Sequence, residues 1–201
     1  HKALYGLRQA PRAWNICLDS CLKQLDFTRC SQEKAVYKRA GTQGSIIVGV
    51  YVDDLIVTGE NPREIIKFKE QMKTEFEMSD LGLLSCYLGI EVEQLNNGIA
   101  LKQEGYAKKV LAQCGLAECN STKLPMQPRV NMHKDTEGKP VETTEYRQTI
   151  GCLRYLLHTR PDLSYLVGVL SRFMEKPTVL HQNAIKQVLR YVKGTLNCGL
   201  F

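Results

Sequence analysis

The apolar positions of this chain change period several times, and each change predicts an element. Trp14, Cys17, Leu18, Cys21, Leu22 and Leu25 recur at helical spacing, and Pro11 suits a first helical turn, so a helix is expected over 10–25. A short strand is expected at 35–38 and a turn at 41–44. The runs Gly49-Val50-Tyr51-Val52 and Leu55-Ile56-Val57-Thr58 read as buried strands, so 46–52 and 55–58 should form a tight hairpin. Asn61-Pro62-Arg63-Glu64 marks a helix start, with Asn as the cap, Pro at the first position and Glu three residues after the cap. Ile65, Phe68, Met72 and Phe76 give that helix an apolar face to lay on the sheet. A second hairpin is expected from 87–92 and 99–102, around Asn96-Asn97-Gly98.

After Gln103 the period is helical. Tyr106, Val110, Leu111 and Cys114 make one short helix that Gly115 can end. The stretch 119–143 is polar, contains Pro125, Pro128 and Pro140, and reads as a connector. Three helices follow, at 144–158, 162–174 and 179–193, punctuated by Arg160-Pro161-Asp162 and Lys176-Pro177-Thr178. The pattern is α+β over 1–102 and helical over 103–201, with no internal repeat.

An apolar content of 43% can fill a core, and no apolar run approaches membrane-spanning length. There is no signal peptide, and both ends look cut from something longer. None of the eight cysteines forms a Cys-x-x-Cys pair, and Cys17, Cys21, Cys114 and Cys152 fall on apolar helix faces. That usage argues against zinc and against a disulfide framework, and points to a reduced, intracellular protein. The four histidines are scattered, and surface or cap positions account for them better than metal ligation. The net charge of +6 is uneven: residues 1–102 carry 13 basic and 13 acidic side chains, residues 103–201 carry 14 and 8. The second half is therefore the one expected to meet a polyanion.

The chemistry concentrates in Tyr51-Val52-Asp53-Asp54. Two adjacent carboxylates between apolar strands are hard oxygen ligands held at a fixed place and left open to solvent at a turn. That suits Mg²⁺, which takes one or two protein carboxylates and keeps its other positions for water and substrate phosphates. An acidic turn with no ligand is the competing reading of the tetrapeptide alone.

Several unlinked motifs bear on that choice. His1-Lys2-Ala3-Leu4-Tyr5-Gly6-Leu7-Arg8-Gln9-Ala10-Pro11-Arg12-Ala13-Trp14 resembles the Gly-Leu-Lys-Gln-Ala-Pro-Arg-Ala-Trp signature of Ty1/copia-type LTR-retrotransposon reverse transcriptases. So do Tyr51-Val52-Asp53-Asp54, Asp80-Leu81-Gly82, Tyr87-Leu88-Gly89-Ile90-Glu91-Val92, Tyr146 through Ile150-Gly151, Thr159-Arg160-Pro161-Asp162-Leu163, Leu170-Ser171-Arg172-Phe173-Met174 and Leu189-Arg190-Tyr191-Val192-Lys193-Gly194-Thr195, in order along essentially the whole chain. The resemblance implies an incomplete palm (an antiparallel sheet with packed helices) over 1–102, followed by an all-helical thumb over 103–201 that ends before a ribonuclease H domain.

The resemblance also implies roles. Asp53 would ligate both catalytic Mg²⁺ ions, with Mn²⁺ as a substitute, and Asp54 would play a weaker or indirect part. Tyr51 and Val52 would lie near the primer terminus. Gly6, Gln9, Ala10 and Pro11 would form the nucleotide-proximal turn and helix start, where a chain passing under a base pair needs a small residue. Leu88 and Gly89 would form the primer-grip turn. Arg154, Arg172, Arg190 and Lys193 would contact duplex phosphates, although a solvated helix face explains each one singly. Trp14 reads as core.

The implied reaction is templated addition of deoxynucleotides to a primer 3′ hydroxyl. Its implied partners are an RNA or DNA template with primer, deoxynucleoside triphosphates, and the rest of a Pol polyprotein with its fingers, ribonuclease H and integrase, with no membrane. Its implied setting is cytoplasmic virus-like particles or the nucleus. The family's other metal-binding aspartate and its fingers lie upstream of His1, and Asp19, Asp26, Asp80, Glu91 and Glu93 offer no substitute. The isolated chain is therefore expected not to polymerise, and its palm sheet is expected to have an open edge. Leu83 stands where the family usually has Glu, and Gln182 where an aromatic is common. The alternatives are a non-catalytic nucleic-acid-binding remnant and another palm-fold phosphotransferase such as a nucleotide cyclase.

Overall fold

Helix α1 (Ala10–Gln24) forms where the spacing places it, and buries Leu18, Cys21 and Leu22. Cys17 departs from expectation: it is exposed, one step round the helix from the core face. The computed structural model describes residues 6–41, 44–127 and 132–201. The turn expected at 41–44 and the connector expected at 119–143 thus lie partly outside the described residues.

Four antiparallel strands follow α1 in the order β1 (Thr28–Arg29), β2 (Val36–Gly41), β3 (Gly44–Tyr51) and β4 (Asp54–Gly59), each paired with the next. Among the described residues β4 is therefore an edge. Alternation along the sheet sends Tyr37, Ile46 and Val48 inward against Leu18 and Leu22, and against Phe68 and Met72 of helix α2 (Pro62–Glu75). Asn61 caps α2 through its side chain, which accepts from Arg63 N at 3.0 Å. Glu64 does not close a box with that cap but turns to Arg39, 3.3 Å away. Behind the sheet, the Tyr37 hydroxyl donates to Asp19 at 2.8 Å; burial and this bond push the phenol up to about 12.

The chain divides into compact units between Leu83 and Leu84. The second unit opens with its own antiparallel sheet, β5 (Cys86–Tyr87), β6 (Ile90–Leu95) and β7 (Gly98–Lys102). The run expected as one strand over 87–92 is broken by a turn at Leu88 and Gly89. Helices α3 (Glu104–Gln113), α4 (Thr143–Leu156), α5 (Ser164–Leu170) and α6 (Val179–Gly194) complete it. The helix expected over 162–174 is shorter, because single 3₁₀ turns at Pro161–Leu163 and Ser171–Phe173 flank α5. The strands of this unit all lie before Gln103, and the elements named after it are helices. No helix among the described residues is long and apolar enough to cross a membrane.

Ile150 and Leu153 of α4, Leu163, and Leu189 of α6 are buried in one apolar cluster with Val110 and Leu111 of α3. Leu153→Ala would empty a fully buried site and is expected to cost about 3 kcal/mol, read as a lower urea midpoint of the full chain at unchanged slope. His181 is wholly buried and works as a cap. Its Nδ1 accepts from Thr178 N at 3.0 Å, its Nε2 lies 2.9 Å from the His133 carbonyl, and Phe173 stacks on the ring.

Candidate active site

Tyr51 pairs with Asp54 across the β3–β4 hairpin, so the loop is only Val52 and Asp53. One carboxylate thus lies in the turn and the other begins an edge strand. Val52 has φ +54, whereas Asp53 has no positive φ, the sign pattern of a type II′ turn. Glycine is the usual residue at that first position. A β-branched side chain there stores strain on the order of 1–3 kcal/mol, a level that persists only where surroundings hold it and that clusters at functional sites.

The surroundings are identifiable. Trp14, one turn beyond the Gln9-Ala10-Pro11 start of α1, donates from its indole Nε1 to the Val52 carbonyl at 2.6 Å. Its ring meets Phe76 edge-on, with centroids 5.1 Å apart. Sequence reasoning missed this role and took Trp14 for packing alone. Tyr51, Val52, Asp53 and Asp54 are all exposed. No ion pair or side-chain hydrogen bond engages either carboxylate among the described residues, and no cluster of three metal-ligating side chains occurs among them. The two acids can offer hard oxygens to one Mg²⁺ while leaving its remaining positions to water and phosphate; a second ion needs carboxylate that the described residues do not bring here.

At the start of α1, Gly6 has φ +90, and no described residue comes within 4 Å of where a Cβ would stand. Its backbone conformation alone calls for glycine. Gln9 starts the helix through its carbonyl, which accepts from Ala13 N at 3.0 Å, and Pro11 sits in the first turn.

Leu88 and Gly89 belong to the second unit. They form a two-residue loop closed by Tyr87 and Ile90, with φ +51 and +76, the type I′ pattern. The Tyr155 hydroxyl of α4 donates to the Leu88 carbonyl, and a Cβ on Gly89 would stand 3.1 Å from that hydroxyl. The four basic candidates divide. Arg190 Nε donates to the Asn120 carbonyl at 2.7 Å and Lys193 Nζ to the Ala117 carbonyl at 2.5 Å, so both tie down the stretch after α3. Arg154 and Arg172 are exposed, and no ion pair or hydrogen bond engages them among the described residues.

Residues 1–128 match the model of the family described as reverse transcriptase (RNA-dependent DNA polymerase). The chain belongs to the reverse transcriptase family. Its relatives place it with the Ty1/copia-type members. It is 36% identical over 200 residues to the retrovirus-related Pol polyprotein from transposon RE1 of Arabidopsis thaliana, covering all of this chain and 14% of that protein. It is 34% identical over 205 residues to the corresponding polyprotein from transposon TNT 1-94 of Nicotiana tabacum, covering 97% of this chain and 15% of that protein. A transposon Ty5-1 protein of Saccharomyces cerevisiae is 34% identical over 197 residues, covering 96% of this chain and 63% of the relative. The chain thus spans about a seventh of the plant Pol polyproteins it matches. No solved structure matches it.

Proposed function

We propose that this chain supplies palm and thumb elements of an RNA-directed DNA polymerase that adds deoxynucleotides to a primer 3′ hydroxyl. The observation that carries this is the hairpin: Asp53 in a two-residue turn and Asp54 beside it, exposed and unpaired among the described residues, inside the part of the chain that matches the reverse transcriptase family. Asp53 would hold Mg²⁺ with Asp54 as the secondary ligand; the ion, once bound, lowers the hydroxyl's pKa and offsets charge at the phosphate. Tyr51 and Val52 flank the acids with exposed apolar surface, where a primer terminus can rest. The Leu88–Gly89 turn, gripped by Tyr155, would bear on the primer strand. Of the four basic candidates, Arg154 and Arg172 have no ion pair or hydrogen bond among the described residues and are suited to duplex phosphates, whereas Arg190 and Lys193 act first on their own chain.

The chain by itself is proposed not to extend a primer, because among the described residues no third carboxylate joins Asp53 and Asp54. The test is extension of a DNA primer on an RNA template. A Pol polyprotein carrying this chain should extend in Mg²⁺, and the 201-residue chain alone should not. Extension by the chain alone would contradict the incompleteness, and failure of the polyprotein would contradict the polymerase reading. The basic excess of residues 103–201 favours one rival, a non-catalytic nucleic-acid-binding remnant. Duplex binding that falls steeply with salt but ignores Mg²⁺ and Asp53→Asn, in a polyprotein without extension activity, would support that rival.

A further inference from the structure

The peptide group between Val52 and Asp53 contains the Val52 carbonyl and the Asp53 N–H. Rotating it interconverts the II′ and I′ forms of a two-residue loop, changes the sign of φ at Asp53, and swings the Asp53 Cα–Cβ bond with it. The II′ pattern is the one present, although Val52 is poorly suited to it. The carbonyl on that peptide accepts the Trp14 indole N–H at 2.6 Å, across 38 positions of sequence. The donor stands on a firm support: α1 is anchored in the first unit's core by Leu18, Cys21 and Leu22, and the indole ring packs against Phe76. The second unit contains the same device. There Leu88, also a non-glycine residue at positive φ, has its own carbonyl held by the Tyr155 hydroxyl. In both hairpins the bond falls on the carbonyl of the strained residue, the group that must be fixed if the loop is to keep one form.

We propose that Trp14 is a positioning residue for nucleotide transfer: its indole N–H locks the Val52–Asp53 peptide and thereby aims the Asp53 carboxylate. The role rests on the reading of Asp53 as the metal-bearing acid. Trp14 acts through the turn and touches neither substrate nor metal.

Trp14 is the chain's single tryptophan, so biosynthetic replacement of tryptophan by β-(3-benzothienyl)alanine alters one position of the full chain. Sulfur then stands in for the N–H while the ring shape against Phe76 is kept. The Asp53 backbone amide should give one NMR signal in the wild-type chain, and should shift and broaden or double in the analogue with little change in melting temperature. In a Pol polyprotein carrying this chain, Trp14→Phe should lower kcat about tenfold and leave KM for primer–template unchanged. An Asp53 signal that ignores the analogue would overturn the proposal whatever the kinetics. A turn that loosens while kcat holds would also overturn it, leaving the bond a structural one. A wild-type polyprotein without activity would remove the polymerase reading and the positioning role with it, and the NMR comparison would tell that failure apart from a failure of the clamp.

Discussion

Asp53→Asn in a Pol polyprotein carrying this chain is expected to lower templated extension roughly a thousandfold or more, since a ligated metal supplies several kcal/mol of charge stabilisation. Asp54→Asn should cost less, because Asp54 begins the edge strand β4 whereas Asp53 stands in the loop itself. Neither change should move the melting temperature appreciably. Both side chains are exposed, and surface substitutions of this kind stay within about 0.5 kcal/mol. Loss of activity without loss of fold separates a chemical role from a structural one. Equal losses from the two variants would contradict the assignment of Asp53 as the principal ligand.

The second large effect is on stability, and it lies in Arg160, Asp162, Tyr191 and Thr195, to which the sequence reading gave no role. Arg160 is 4% exposed and makes a two-point contact with Asp162, at 3.0 Å from Nε and 2.8 Å from Nη2. The same guanidinium donates to the Thr195 carbonyl at 2.8 Å and lies over the Tyr191 ring, whose hydroxyl donates to Asp162 at 3.1 Å. The Thr159–Leu163 and Leu189–Thr195 motifs are thus two halves of one clamp. Asp162→Asn would leave the guanidinium buried without its counter-charge, at a cost of about 2–3 kcal/mol; the half-exposed acid keeps the figure at the lower end for buried pairs. Urea denaturation of the full chain measures it.

The same pair makes a pH prediction. Burial pushes the Asp162 carboxyl up, but the Arg160 hydrogen bond and charge, with the Tyr191 bond, outweigh burial and hold it below its ordinary value. A carboxyl depressed in the folded state binds fewer protons there than in the unfolded chain. Its stabilisation is therefore present above the unfolded value, about pH 4, and is lost as pH falls through the folded one. Below about pH 4 the wild-type chain should lose stability faster than Asp162→Asn, and the two should converge. A constant gap between them down to low pH would contradict the assignment.

Much of the first unit was legible because its signals are local. The spacing from Trp14 to Leu25 and the Asn61-Pro62 cap each name an element within a few residues, and α1 and α2 start where those signals stand. The hairpin was legible too, but not its closure: Asp54 is a strand residue, and only pairing with Tyr51 reveals that. The strand expected through 87–92 failed because Leu88 is apolar and fits a strand period; the turn at Leu88 and Gly89 was implied by the family resemblance alone. Tyr155, which grips that turn from 67 positions away, is the reason Leu88 can take positive φ. β1 escaped because Thr28 and Arg29 are too few to carry a period. Trp14 fits a core pattern whether or not its N–H has work to do, so its bond to Val52 could be found only in three dimensions. Arg190 and Lys193 sit on a basic helix as the pattern implied, yet both point at backbone carbonyls of residues 117–120.

The claim on which the rest depends is that the Tyr51–Asp54 hairpin holds the reactive metal. Ferrous iron in place of Mg²⁺, with ascorbate and peroxide, cuts a polypeptide backbone beside its binding site. Applied to a Pol polyprotein carrying this chain, with primer–template and an incoming nucleotide bound, it should cut within residues 51–55. Excess Mg²⁺ should suppress the cut, and Asp53→Asn should abolish it. Extension-competent protein that is cut elsewhere, with 51–55 intact, would contradict the account.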